Sequence, residues 1–153
     1  MNIHLQLYQL FNITNEKIKC LESVYELTDK QTQYLSLQQV DKFLLLCDEK
    51  QRVIEKINKL DDQFNSIYES IKNEMMGSSS KVKEYSEEIK KLQMDIMQIQ
   101  KAEERIMHAE AKNKIEYEKI FEKMKNVVKK SAPVSRNYIE QYKKIDQLKK
   151  KKD

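Results

Sequence analysis

The chain has 153 residues with one glycine, one proline, no tryptophan and 35% charged side chains, so it has too few turn formers for a sheet protein and suits long helices burying narrow seams. Its net charge of +4 resides in residues 143–153, where six lysines outnumber two aspartates; the other 142 residues carry 23 basic and 23 acidic groups, which excludes a broad basic face for nucleic acid. No run of about 18 unbroken apolar residues offers a membrane span.

The first helix is expected over about residues 3–35. Leu7, Leu10, Phe11, Thr14, Ile18, Leu21, Val24, Tyr25, Thr28 and Leu35 fall near one face, and Thr14 is a candidate cap for a shorter helix. A phase change at "SLQQ", residues 36–39, marks a break. The second helix, about 38–76, has a seam stepping by threes and fours through Phe43, Leu46, Lys50, Val53, Ile57, Leu60, Phe64, Ile67 and Ile71. One lysine sits among eight apolar positions.

"MMGSSSK" is the clearest punctuation: Gly77 suits a left-handed helix end, and Ser78 to Ser80 suit N-caps. A third helix follows over about 80–131. Its seam is apolar from Val82 to Ile99, runs on through Glu103, Ile106, Glu110 and Asn113 in a largely polar middle, and is apolar again at Tyr117, Ile120, Met124 and Val127. Pro133 ends it. Ser135 can cap a short last helix with Tyr138, Ile139, Tyr142, Ile145 and Leu148 on one face.

The expected fold is therefore all-α: an antiparallel three-helix, coiled-coil-like bundle over 1–131, followed by an amphipathic segment with a basic end over 132–153. Folding helices two and three back around Gly77 places Lys50 opposite Glu103, and the two seam charges are expected to pair and to set the register. Snorkelling of Lys50 to water is the alternative. On the same count the third helix outruns the second by some 20 Å at the usual rise. Tyr117, Ile120, Phe121, Met124, Val127 and Val128 would then need a cover: the segment 134–150, a second copy, or a partner's amphipathic helix.

Catalytic chemistry has little to stand on. A lone glycine excludes a Gly-rich phosphate loop, and His4 and His108 do not make a paired metal motif, although Glu104 and His108 share a helical face. No cofactor and no metal are expected. Cys20 and Cys47 read as small buried hydrophobes in a reducing compartment, and the amino-terminal stretch lacks the basic start of a signal peptide. The expected location is cytoplasmic. The seven methionines read first as core gap-fillers, and in the alternative as a pliable surface for partner helices.

Residues 21–64, "LESVYELTDKQTQYLSLQQVDKFLLLCDEKQRVIEKINKLDDQF", carry Leu44, Leu45, Glu49, Lys50, Gln51, Ile54, Ile57, Leu60 and Asp61 in an order that resembles the FlgN-type flagellar export chaperones. The ending "YKKIDQLKKKKD" is loosely similar to the Lys-rich ends of Gram-positive members. The resemblance implies a cytoplasmic, non-enzymatic chaperone that binds amphipathic C-terminal helices of hook–filament junction proteins and delivers them to the flagellar type III export apparatus. The patch Tyr117, Phe121, Met124 and Val128 would receive the client in competition with Tyr138, Tyr142 and Ile145, and the lysines at 149–152 would favour an acidic export-gate surface. A homodimeric coiled-coil structural or adaptor protein is the alternative reading.

Overall fold

The computed structural model describes residues 2–128, and of Val128 the backbone alone. Every element among them is helical: α1 (Ile3–Ser36), α2 (Val40–Met75), the six-residue α3 (Ser79–Glu84) and α4 (Ser86–Val128). The expected last helix and its residues Tyr138, Ile139, Tyr142, Ile145 and Leu148 lie outside the described residues.

Local chemistry accounts for the boundaries. The Asn2 side chain accepts the Leu5 N–H, satisfying one orphan donor at the start of α1. Thr14 caps nothing; it is buried within α1, its hydroxyl donating to the Phe11 carbonyl at 2.9 Å. At the "SLQQ" break Gln38 takes a φ of 57°. The Gln38 N–H donates to the Leu35 carbonyl and the Gln39 N–H to that of Tyr34, the paired bonds of a left-handed C-cap. Gly77, φ 81°, stops α2. Ser78 then caps α3 by accepting the Lys81 N–H.

The third long helix is not the single element expected over 80–131. It breaks at Tyr85, whose φ of −103° and ψ of 18° leave the helical region, and whose ring meets His4 edge-on at 5.4 Å. This interruption makes α3 part of the connection. The residues facing each other on α2 and α4 are accordingly centred near Ser80, midway between the end of α2 and the start of α4, and not on Gly77.

Two compact units divide the chain: one joins the stretch up to Val24 with Arg52–Ile106, the other joins Tyr25–Gln51 with the stretch from Met107. In the first unit, one core cluster is built from Ile3, Leu7 and Leu10 of α1, Ile71 of α2 and Leu92 of α4, and a second from Cys20, Leu21, Val24, Ile57 and Ile99. In the second unit the cluster is Leu35, Val40, Phe43 and Tyr117, with Tyr34, Leu44, Ile120, Phe121 and Met124 packed against it. Each cluster draws on α1, α2 and α4. Each buried Leu, Ile, Val or Phe contributes roughly 1.5–3 kcal/mol, which is how a narrow seam holds a chain this rich in charge.

Candidate functional site

The steps that carry apolar residues into these seams also carry polar ones, and they gather into one polar layer in each unit. In the second unit Lys50 is buried, only 7% exposed, and all three protons of its ammonium have acceptors: Thr28 Oγ1 at 3.4 Å, Gln31 Oε1 at 2.5 Å and the carboxylate of Glu110. Gln31, itself buried, turns its amide N–H toward the Phe43 carbonyl at 3.2 Å and Cys47 Sγ at 3.1 Å. Asn113 donates to the Thr28 carbonyl at 3.1 Å and accepts from Thr32 Oγ1 at 2.7 Å. Three helices are thus stitched at one level, and snorkelling does not describe this lysine.

Lys50 therefore has a partner on α4, and it is Glu110, not Glu103. The expected pair misses by one heptad because α3 lengthens the connection. Phe43 and Tyr117, with ring centroids 6.1 Å apart, keep the same count. A slip along these helices would separate Lys50 from Glu110 and leave a charge without its partner in or beside the seam, which carries a cost.

The polar layer of the first unit is open. Lys17 Nζ lies 2.7 Å from Asp61 and 3.6 Å from Glu103, and both carboxylates are close to half exposed. Beside them runs a cleft of about 360 Å³, walled by Ile13, Phe64, Ile96 and Ile99, with Thr14 at its floor and Asn65 and Gln100 at its rim. Thr14 is fully buried but short, and Lys17 and Glu103 point to the edge where leucines would have filled the layer. The seam is left underpacked on one side.

The patch expected at the end of α4 is largely covered already. Tyr117 is buried at 3% exposure, and Ile120, Phe121 and Met124 are half-buried in the same cluster against Leu35, Val40 and Phe43. Only Val127 stands exposed, and the side chain of Val128 lies outside the description. The reason is again the count: the six-residue α3 takes the start of the expected third helix into the connection, so Tyr117 stands against Phe43 of α2 and not beyond its end. The end of α1 also reaches the patch through Tyr34 and Leu35.

Sequence reasoning missed Lys17 and Gln31, and placed Glu110 in the seam without making it the partner of Lys50. The signal was present, because α1 steps by fours and threes through Ile3, Leu7, Leu10, Thr14, Lys17, Leu21, Val24, Thr28, Gln31 and Leu35, the same rule that exposed Lys50 on α2. The methionines also depart from the first expectation. Met75 and Met124 pack on cores, but Met76, Met94, Met97 and Met107 are all more than half exposed. Among the described residues no three His, Cys, Asp or Glu side chains gather to hold a metal, neither cysteine is in a disulfide, and no helix is long and apolar enough to cross a membrane. Comparison with protein-family models, with curated proteins and with solved structures gives no match.

Proposed function

We propose that this chain is a non-enzymatic, cytoplasmic export chaperone, an antiparallel three-helix bundle that holds amphipathic C-terminal helices of hook–filament junction proteins for delivery to the flagellar type III export apparatus. The observation that carries the reading is the exposure of Met76, Met94, Met97 and Met107, a residue type that normally goes inside. Unbranched, polarisable thioether side chains held at a surface repack around helices of different shape, which suits a protein that receives more than one client. The likeness of residues 21–64 to FlgN-type chaperones supports the same reading from a separate direction.

The chaperone reading requires a binder competent as a monomer, whereas a homodimeric coiled coil would hold its helices by self-association. The test is a fluorescence-anisotropy titration with a labelled peptide from the C-terminal helix of a hook–filament junction protein. Wild type is expected to bind, and the Met94→Ser, Met97→Ser double variant to bind at least tenfold more weakly with its helicity unchanged. Absence of binding to wild type, or helicity that disappears on dilution, rejects the chaperone reading.

A further inference from the structure

We propose that the cleft of the first unit is the seat of the client helix, taking one apolar side chain between Phe64, Ile96 and Ile99 while a lysine or arginine of the same helix meets Asp61 and Glu103. The inference rests on the chaperone reading and adds to it the place of docking and the charge of the ligand. Three observations place the docking here. The volume, about 360 Å³, lies at the lower end of the roughly 300–1,000 Å³ of ligand sites and exceeds what a packing defect leaves. Four apolar side chains, Ile13, Phe64, Ile96 and Ile99, line it beside Lys17, Asp61 and Glu103, so an apolar anchor and a charged group of one ligand can be held together. Met97 is three residues before Gln100 on α4 and so adjoins the rim, bringing the exposed methionine surface to the mouth of the cleft.

Charge selects the occupant. Lys17 is one cation shared between two carboxylates, so the rim keeps a surplus negative charge that water only partly screens at half-exposed groups. The net charge of +4 resides in residues 143–153 and the other 142 residues balance, so attraction away from this rim would favour an acidic ligand. A preference for a basic amphipathic helix must therefore arise locally, which makes charge a clean reporter for this site. The second polar layer offers no such seat, because its lysine is buried with every proton engaged.

The probes are an 18-residue Leu–Lys amphipathic peptide and a Leu–Glu peptide with the same apolar spacing, titrated against the full chain alongside the junction-protein peptide. Asn65 lies exposed at the rim, so Asn65→Trp closes the mouth without touching the core. Asp61→Asn with Glu103→Gln removes the surplus charge, and circular dichroism checks that both variants keep their helices. The expected results are preference for the basic peptide by tenfold or more, a tenfold or greater loss in Asn65→Trp, and a three- to tenfold loss with a flattened salt dependence in the charge variant. Equal binding of the two designed peptides, or binding by Asn65→Trp equal to wild type, overturns the proposal. If the junction-protein peptide binds wild type and Asn65→Trp alike, the cleft is wrong and the chaperone reading stands; if it binds neither, both fall. Self-association of the protein alone that Asn65→Trp abolishes assigns the cleft to a second copy and also overturns the proposal.

Discussion

Replacing Lys50 with methionine keeps the length and most of the volume of the side chain but removes the one cation in the second unit's polar layer. Glu110, Gln31 Oε1 and Thr28 Oγ1 each lose a donor. Breaking a fully buried ion pair from one side costs about 3–5 kcal/mol. The Lys50 side chain is 9% exposed and that of Glu110 23%, and Glu110 keeps the Thr28 hydroxyl as a donor at 3.3 Å, so water and this contact lower the expected loss to about 2–4 kcal/mol. For a chain of this length that is a fall in Tm on the order of 10 °C, measurable by circular dichroism at 222 nm. Glu110→Leu alone strands the more buried lysine and should cost at least as much. The double variant, with an apolar layer restored, should return to within about 2 kcal/mol of wild type, because replacing a buried pair by well-packed apolar groups is close to neutral. The coupling between the two sites is then about 2 kcal/mol or more. Losses that add to within about 0.5 kcal/mol would refute the pairing. Glu103→Leu is the control: its cation is Lys17, so its effect should add to that of Lys50→Met.

Two further predictions follow from burial and backbone geometry. Tyr117→Ala should destabilise by about 3–5 kcal/mol in urea unfolding, as a core truncation does, whereas Val127→Ala on the same helix should change stability by less than about 0.5 kcal/mol; a small effect at Tyr117 would return it to the surface. Gly77→Ala should cost about 1 kcal/mol although no atom lies within 4 Å of the added carbon, because the strain is in the positive φ; Gln38→Gly should gain up to about 1 kcal/mol for the converse reason, and equal Tm values for all three proteins would contradict this.

Much of this protein was written in the spacing of its residues. A single glycine and proline rule out sheets, and the alternating steps of three and four mark out α1 and α2 to within about two residues and place a left-handed residue at Gly77. The same steps identify which polar residues enter the seams, Lys50 among them. These are local properties, set by 3.6 residues per turn and by the few side chains that end a helix, and they hold wherever the helix goes. Which carboxylate Lys50 meets is not local. It depends on how much chain the connection consumes, and the break at Tyr85 shifted the facing residues by a heptad. Whether the end of α4 stays bare was likewise decided by the neighbours that Leu35, Val40 and Phe43 provide. Two lysines at equivalent seam spacing ended differently, Lys50 enclosed and Lys17 at the edge of an open cleft, because Gln31, Glu110 and Thr28 close around one, while Asp61 and Glu103 stand half in water beside the other. Periodicity tells a side chain which way to face; only the packing of three helices determines what it finds there.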